Sequence, residues 1–360
     1  MILVFNPGSS SIKYKLFGIK GKQILLISEG SVDGIKPDAE SFKRSFLLLA
    51  EKIKKYWGGI KYLGYRVVCG DCPADGSEAD QKILETIRKF SYLAPLHIPN
   101  TILTIKLSQE IFSQSKHLCY FDSSFFKKLP IEEKILPIDS TISKKFNLLR
   151  YGYHGISHQY AYESAKGAKS ERVITIHLGA GCSVTAIAKG LPIATSMGFT
   201  PMEGVIMQSR SGNIDPGVIF FLVEKIGLKK AKELLNNNSG LAGLTQTGGN
   251  MLDILYLAGE KIEDNTYLPA KSLKKDQKNF QNARLALDLY CNSVRKYIGS
   301  YSILLGGVDR MVFTGKIAAG SGVIRRRILK GLNFLKIKKI SIIPPNEELA
   351  IAKKIIKSHI

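Results

Sequence analysis

The sequence ILVFNPGSSSIKYKLFG, residues Ile2–Gly18, holds two short apolar runs on either side of a turn of Asn, Pro, Gly and Ser. The runs Ile2–Phe5 and Ile12–Phe17 are rich in β-branched and aromatic residues, and this composition favours strands. Because Pro and Gly favour turns, the stretch predicts a β-hairpin. Backbone amides and small hydroxyl groups at such a tip converge on phosphate groups. We therefore predict a phosphate-binding hairpin at the start of the chain.

A second hairpin of the same kind is predicted near the middle of the chain. Val173–Leu178 is strand-like, Gly179–Ser183 (GAGCS) forms the turn, and Val184–Ala188 forms the return strand. A third segment of small residues, Phe313–Gly322, links a strand at Met311–Thr314 to a helix, which is a common place for anion binding. The repeated hairpin indicates two halves built alike, and the alternation of strands and helices predicts the α/β class.

The composition indicates a globular protein with a basic surface. The chain has 360 residues, 44% of them hydrophobic, and a net charge of +22. This length favours two domains, and no apolar run approaches the ~18 residues of a membrane span. The Lys and Arg residues are spread along the chain without zinc-finger spacing or an aromatic RNA-binding signature. We therefore expect phosphate-bearing small molecules as partners, and neither nucleic acid nor a membrane.

The cysteines and the N-terminus favour a cytoplasmic location. The first strand begins at Ile2, so we expect no signal peptide. Five scattered cysteines fit a reducing compartment better than a disulfide framework. Cys69 and Cys72 form a single C-x-x-C pair, and because a structural zinc site needs four ligands, no zinc site is predicted there.

Several charged residues and histidines stand in apolar or glycine-rich surroundings. They are Arg66 at the start of a Val-Val strand, His97 between prolines, Asp122 at a strand end, His154 beside a glycine, and Glu203, Arg210 and Asp215 in the irregular segment Thr195–Gly217. Each of them alone has an ordinary structural interpretation, as a surface, core or capping residue. Long irregular segments with glycines and charges commonly carry function. Together with two phosphate-binding hairpins, these residues fit phosphoryl transfer, where a protein positions groups and neutralises charge.

The motifs NPGSSSIKYKLF, LAPLHIPN, YGYHGISH, TSMGFTPMEGVIMQSRSGNIDP and IIPPNEELAIAK occur in the order found in the acetate kinase family, which the sequence resembles over nearly its whole length. The resemblance implies an α/β, two-domain duplicated actin/Hsp70/sugar-kinase-like (ribonuclease H-like) fold. It implies an N-terminal lobe at 1–149, joined by a C-terminal helix at 347–360, and a nucleotide-binding lobe at 150–346. It also implies a homodimer that uses Mg²⁺, or Mn²⁺, to transfer the γ-phosphate of ATP to acetate, giving acetyl phosphate and ADP.

The resemblance also implies roles for the residues at matching positions. The implied catalytic residues are Asp122, His154 and Arg210, and Arg66 would hold the substrate carboxylate, with His97 lining the site and Val68, Leu96, Tyr153 and Pro201 forming the methyl pocket. Asn6 and Glu347 would hold the metal, and the implied nucleotide positions are Ser9, Ser11, Lys13, His177, Leu178, Gly179, Ala180, Gly181, Asn250, Met251, Leu252, Lys316, Ile317, Ala318, Ala319 and Gly320. Because a carboxylic acid with a pKa of ~4–5 is already ionised at neutral pH, we expect Asp122 to organise an arginine or metal-bound water and not to act as a base.

Departures from the family pattern concentrate at the nucleotide positions. Ala180 replaces an asparagine, Gln208 and Lys316 replace glycines, and Leu252 replaces an arginine that would stack on adenine. Lys316 introduces a side chain where glycine would let a ligand approach. Three alternatives therefore stay open: a different donor such as pyrophosphate, a different acceptor such as propionate or butyrate, and a non-catalytic or nucleic-acid-binding relative.

Overall fold

The computed structural model describes residues 1–21, 23–36, 38–68, 70–95 and 97–360. The chain divides into two compact units. Unit 1 comprises Met1–Lys127, Tyr153–Tyr160 and Asn346–Ile360, and unit 2 comprises Lys128–Gly152 and Ala161–Pro345. The lobes expected at 1–149 with 347–360 and at 150–346 stay a prediction. Cys69 of the C-x-x-C pair lies outside the described residues.

Each unit is built around one β-sheet. The strands of unit 1 are β1 (Ile2–Pro7), β2 (Ser11–Lys20), β3 (Gln23–Asp33), β4 (Tyr62–Val67), β5 (Ser77–Glu78) and β6 (Lys116–Phe121), and those of unit 2 are β7 (Val173–Leu178), β8 (Cys182–Ala188), β9 (Leu191–Thr195), β10 (Arg310–Thr314) and β11 (Lys339–Ile342). The strand orders are β3-β2-β1-β4-β6-β5 in unit 1 and β11-β10-β7-β8-β9 in unit 2.

The two sheets share one topology, as the repeated hairpin predicts. In each unit the first three strands form an antiparallel meander, β1–β3 or β7–β9. The first strand of each meander then pairs in parallel with β4 or β10, which pairs in parallel with β6 or β11. Asn6 lies opposite Lys13 in the first hairpin, and Leu178 lies opposite Cys182 in the second. The prediction of an α/β fold with two similar halves is confirmed.

Helices connect and cover the strands. They are α1 (Ala39–Lys52), α2 (Gln81–Lys89), α3 (Ile98–Ile111), α4 (Ile131–Lys134), α5 (Ser140–Phe146), α6 (Gly155–Ser164), α7 (Pro216–Ile226), α8 (Leu228–Asn237), α9 (Gly240–Thr245), α10 (Met251–Leu257), α11 (Gln277–Leu304), α12 (Lys316–Gly320), α13 (Gly322–Leu329) and α14 (Glu347–His359), with short 3-10 helices at Lys54–Gly59, Ser124–Lys128 and Asn333–Leu335. Aspartate side chains accept backbone N–H bonds at the start of α1, α2, α5, α7 and α11, so these helices begin where the sequence supplies a good N-cap. Among the helices of the described chain, none has the length and apolar character needed to cross a membrane.

Helix α11 provides much of the core of unit 2. Leu287, Cys291, Val294, Ile298 and Tyr301 recur at three- and four-residue spacing, and all five are buried. This burial shows that the stripe is part of the core.

The segment that follows β10 differs from its expected form. Its small residues fold as a separate short helix, α12, so the strand is not linked directly to the longer helix α13, which begins at Gly322.

The C-terminal helix α14 packs directly on the sheet of unit 1. Ile351 and Ile355 are fully buried, and Lys354 Nζ donates to Asp75 Oδ2 at 2.7 Å. A Cβ atom at Gly64 in β4 would lie 2.5 Å from Ile351 Cγ2, closer than any real contact. Glycine at this position therefore allows α14 to reach the sheet, and the start of the helix is held beside the ends of β1 and β4.

Candidate active site

Arg66 and Asp122 form an ion pair where neighbouring parallel strands of unit 1 end. Arg66 is the penultimate residue of β4, and Asp122 directly follows β6. Arg66 Nε donates to both carboxylate oxygens of Asp122 at 3.2 and 3.1 Å, and Nη2 donates to Oδ2 at 2.6 Å. Asp122 is 1% exposed, so the pair is well shielded from water.

The charge of Arg66 is fixed by its neighbours. Burial acts to lower the pKa of Arg66, but the carboxylates of Asp122 and Glu347 outweigh that effect and hold the pKa above its ordinary value.

The prediction that Arg66 begins a strand is wrong, because β4 ends at Val67, where its pairing with β6 also ends. Arg66 therefore lies at the carboxyl edge of the sheet, which is the edge where α/β proteins bind ligands.

Asn6 and Glu348 extend this pair into a buried polar network. Asn6, near the end of β1, accepts a hydrogen bond from Arg66 Nη1 at its Oδ1 (3.2 Å) and donates from Nδ2 to Glu348 Oε1 (2.7 Å). Glu348 is 5% exposed, and its Oε2 lies 3.8 Å from Lys15 Nζ. Lys15 Nζ also donates to Asn346 Oδ1 at 2.9 Å. The network thus joins the first hairpin, β4 and the start of α14.

The residues predicted to hold a metal are oxygen donors on the border of this network. Asn6 contributes a side-chain amide oxygen, and Glu347 is half-buried, with no hydrogen bond or ion pair to its carboxylate from any residue that the structure describes. Mg²⁺ is commonly bound by one or two carboxylates together with water and substrate phosphates. No three His, Cys, Asp or Glu side chains are grouped as a metal site in the described ranges. Asn6 and Glu347 therefore fit a cation that completes its ligands from a bound phosphate.

His154 lies beside Asp122 through a tight backbone contact. Gly155 N donates to the carbonyl oxygen of Asp122 at 2.8 Å, and a Cβ at position 155 would lie 2.2 Å from that oxygen. Only glycine fits there. The preceding residue, His154, has a φ of 61°, in the left-handed region that side chains other than glycine rarely adopt. Such conformations persist where the surrounding structure enforces them, which is common at functional sites.

The other predicted site residues of unit 1 lie on elements around this network. Val68 and Tyr153 are buried, His97 directly precedes α3, Ser9 and Ser11 form the tip of the first hairpin, and Lys13 is paired with Asn6 across that hairpin. Leu96, predicted for the methyl pocket, lies outside the described residues. The hairpin tip is closed by a bond from Gly8 N to Ser11 O of 2.7 Å, which gives the tight turn that the sequence predicts.

Arg210 lies in unit 2, where it has no acidic partner. Its Nη1 donates to the carbonyl oxygen of Pro201 at 2.8 Å and lies 3.6 Å from Met207 Sδ. Across the described ranges, no carboxylate lies within ion-pair distance of Arg210, and burial lowers its pKa from the ordinary value. Because a desolvated charge is costly unless it is paired, the Arg210 guanidinium is suited to an anionic ligand.

Two other carboxylates of the irregular segment have structural partners. Glu203 Oε1 lies 2.9 Å from Arg150 Nη1, and Asp215 caps α7 by accepting from Gly217 N at 2.7 Å. These contacts account for both residues without a ligand, so they are not part of the candidate site.

Two of the segments predicted to bind nucleotide meet where β7 and β10 end in unit 2. The two strands pair in parallel with Thr314 next to His177, so the turn at 179–181 and helix α12 begin side by side. Gly315 has a φ of 86°, and a Cβ there would lie 2.2 Å from the carbonyl oxygen of Leu178. The buried hydroxyl of Thr314 has no hydrogen-bond partner in the part of the chain that the structure describes. An orphaned polar group at this edge is consistent with a ligand or water beside it.

Gln208 connects the third predicted nucleotide segment to the turn at 179–181. Its backbone N–H donates to Ala180 O at 3.2 Å, and its side-chain Nε2 donates to Gly248 O at 3.2 Å. Asn250 caps α10 by accepting from Leu252 N at 2.9 Å, and Met251 is buried. The 250–252 segment is therefore the start of a helix.

Lys316 and its neighbours form the short helix α12. Lys316 is exposed, Ala318 is buried, and Ile317, Ala319 and Gly320 are half-buried or exposed. The described residues provide no hydrogen-bond or ion-pair partner for the Lys316 side chain. Gln208 and Lys316 both stand where the family pattern has glycine, and of these two side chains only that of Gln208 forms a hydrogen bond with the described residues.

Comparisons with known proteins agree with the resemblance read from the motifs. The profile described as "Acetokinase family" matches residues 39–341. The acetate kinase of Carboxydothermus hydrogenoformans is 33% identical, with 98% of both chains covered. The acetate kinase structure from Porphyromonas gingivalis has a TM-score of 0.82 at 25% identity and covers 99% of this chain and 98% of its own. A propionate kinase structure from Francisella tularensis has a TM-score of 0.82 at 29% identity, with 98% of both chains covered. The duplicated fold is confirmed by these structures.

Glu348 is the polar residue of this site that sequence reasoning missed, and its role in the network can be tested. Glu348→Ala removes the acceptor of Asn6 Nδ2, so we expect the free energy of unfolding to fall by about 1–3 kcal/mol. Glu347→Ala removes an adjacent carboxylate that stabilises the Arg66 charge without a described hydrogen bond, so we expect a smaller fall, below about 1 kcal/mol. Urea unfolding of both variants measures the difference. Equal destabilisation by the two substitutions would contradict the network.

Proposed function

This chain belongs to the acetokinase family, and we propose that it transfers the γ-phosphoryl group of ATP reversibly to acetate, giving acetyl phosphate and ADP. Membership makes the chain a kinase whose acceptor is a carboxylate. The proposed transfer from ATP to acetate rests on the contrast between Arg66 and Arg210. Arg66 is fixed by a buried carboxylate, whereas Arg210 has no acidic partner among the described residues. Such a pair of cations suits a reaction between two anions.

Arg66 would bind the carboxylate of the acid. Asp122 occupies the Nε and Nη2 edge of the guanidinium, and because an arginine has five N–H donors, hydrogens on Nη1 and Nη2 are left for a second carboxylate. Asp122 thereby fixes the plane of the Arg66 guanidinium, which would bind the substrate carboxylate. This contact supports a positioning role for Asp122, and an acid that is already ionised requires no general base.

Arg210 and His154 would contact the phosphoryl group as it is transferred. A carboxylate oxygen of the acid attacks the γ-phosphorus, the bond to the β–γ bridging oxygen breaks, and ADP leaves with that electron pair. Negative charge spreads over the oxygens of the transferring group, and preorganised cations lower the free energy of that state. Asn6 and Glu347 would hold the divalent metal, Mg²⁺ or Mn²⁺, which neutralises phosphate charge when it is bound.

A second candidate function uses a different phosphoryl donor. The side chain of Gln208, where the family pattern has glycine, bonds to Gly248, two residues before the 250–252 segment that the resemblance assigns to the nucleotide. Leu252 also stands where the pattern has an arginine. A donor without adenine, such as pyrophosphate, would need neither the space at 208 nor the arginine. The acceptor also stays open between acetate, propionate and butyrate, since one methylene changes binding by only about 1–3 kcal/mol.

We propose that the protein acts as a homodimer and that α7 lies in the interface. None of the eleven residues of α7 is buried, and Phe220 and Phe221 are 67% and 57% exposed. Contiguous exposed apolar surface commonly marks a protein–protein interface. The occupant we propose is a second copy of this chain, because the resemblance to the family implies a homodimer.

We also propose a cytoplasmic location. Cys72, Cys119, Cys182 and Cys291, the cysteines within the described ranges, are all free thiols. Free buried thiols are typical of proteins kept in a reducing compartment.

The proposed role of Arg210 predicts a large kinetic defect. Arg210→Ala should lower acyl phosphate formation about 10³-fold or more, the typical contribution of an arginine at a transferring phosphoryl group. A hydroxamate assay of acyl phosphate measures this loss, and Lys229→Ala, an exposed cation on α8, is the control expected to keep full activity. Activity of Arg210→Ala within about tenfold of the unaltered protein would contradict the role.

The donor and acceptor are tested together in one panel. ATP, GTP and pyrophosphate are each combined with acetate, propionate and butyrate in the same hydroxamate assay, and we expect the highest kcat/KM with ATP and acetate. A higher kcat/KM with pyrophosphate would replace the first candidate by the second, and Gln208→Gly should then increase turnover with ATP. Absence of acyl phosphate in every combination would contradict both candidates.

The proposed interface predicts that charge on α7 separates the subunits. Phe220→Asp combined with Phe221→Asp should convert the dimer to a monomer, because each subunit would bury two unpaired carboxylates in the interface. Size-exclusion chromatography with light scattering measures the mass. Leu268→Asp, at a leucine that is 86% exposed, should leave the dimer intact. A monomer already present in the unaltered protein would contradict the proposal.

A further inference from the structure

A basic groove in unit 2 lies between α11 and α13, and the proposed mechanism uses none of its residues. The groove has a volume of about 640 Å³, and the charged residues that line it are Glu260, Arg284, Asp288, Arg295, Arg326, Arg327 and Lys330. Five of these are cations and two are carboxylates. Cys291 is buried at the same groove.

Both carboxylates of the groove are already paired with one arginine. Arg327 Nη1 donates to Asp288 Oδ1 at 2.8 Å, and Arg327 Nη2 donates to Glu260 Oε1. Neither acid therefore pairs with Arg284, Arg295, Arg326 or Lys330, and the five cations and two carboxylates leave the groove with a net charge of +3.

The four remaining cations have little compensation from elsewhere. Arg326 lies 3.9 Å from Glu263, a long contact on a side chain that is 69% exposed. For Arg284, Arg295 and Lys330, the described ranges contain no carboxylate within ion-pair distance. Arg326 lies in the last turn of α13 and Lys330 directly follows the helix, so these two like charges are held near each other and repel. A ligand that neutralises these cations would relieve that repulsion.

The spacing of the cations defines the shape of the ligand. Arg284 and Arg295 both lie on α11, separated by about 16 Å along the helix axis at 1.5 Å per residue. Cations spread over such a length match an anion with several phosphate groups better than a single phosphate. Guanidinium groups present planar pairs of N–H donors that match phosphate oxygens. From this geometry we propose that the groove binds an extended oligophosphate anion with three or more phosphate groups, inorganic or carried by a nucleotide.

The experiment uses inorganic tripolyphosphate as the probe and hydrogen exchange as the readout. In the full-length protein at fixed ionic strength, tripolyphosphate should protect backbone amides of 284–295 and 323–330. Arg326→Gln combined with Lys330→Gln should lower its affinity at least about tenfold by calorimetry, since two of the four cations are removed. Lys229→Gln combined with Lys230→Gln removes the same charge from exposed positions on α8 and should bind as the unaltered protein does.

The remaining outcomes decide whether the groove binds an oligophosphate and whether that ligand is inorganic or carried by a nucleotide. Protection by ATP at the same amides supports oligophosphate recognition with a nucleotide source, and protection by tripolyphosphate alone supports an inorganic source. Equal protection by orthophosphate, protection confined to other segments, or equal affinity of the two double variants would overturn the proposal. The Arg326→Gln, Lys330→Gln variant should form acyl phosphate at the unaltered rate without tripolyphosphate, which shows that the fold is retained.

Discussion

The ion pair between Arg66 and Asp122 is the interaction on which the polar site of unit 1 depends. Asn6 lies in β1, Arg66 lies in β4 and Asp122 directly follows β6, and these three neighbouring parallel strands end at one edge of the sheet. A buried guanidinium is costly without compensation, and here the carboxylates of Asp122 and Glu347 and the amide oxygen of Asn6 supply it. The same contacts fix the direction of the guanidinium. The first hairpin, β4 and α14 are therefore held in the arrangement that leaves part of Arg66 available to a ligand.

Arg210 shows the complementary use of a cation. Its contacts in unit 2 are a carbonyl oxygen and a thioether, and neither carries a negative charge. A protein carboxylate at this position would compete with a phosphate for the same donors. Asp122 thus pairs with Arg66, whereas no acid among the described residues pairs with Arg210. This distribution is expected when one arginine orients a substrate and the other stabilises charge that develops during transfer.

The fold was predictable from local chemistry, whereas part of the site was not. Both hairpins follow from turn residues between strand-forming runs, and their repetition correctly predicts two sheets of one topology. Glu347 and Glu348 are adjacent and chemically identical, and only the packing of α14 through Gly64 decides that Glu348 is buried against Asn6. The sequence predicts that Arg66 begins a strand because Val67-Val68 favours one, whereas β4 begins at Tyr62 and its pairing stops at Val67.

Gln208, where the family pattern has glycine, adds one side-chain hydrogen bond and keeps two backbone hydrogen bonds that do not depend on its side chain. The backbone N–H of Gln208 bonds to Ala180 and its carbonyl oxygen accepts from Ala242, and a glycine would make both bonds equally well. Only the bond from Nε2 to Gly248 depends on the side chain. The network around Arg66 is built from residues of unit 1, and that around Gln208 from residues of unit 2. A change in the residues around Gln208 therefore requires no change in the hydrogen bonds that fix Arg66.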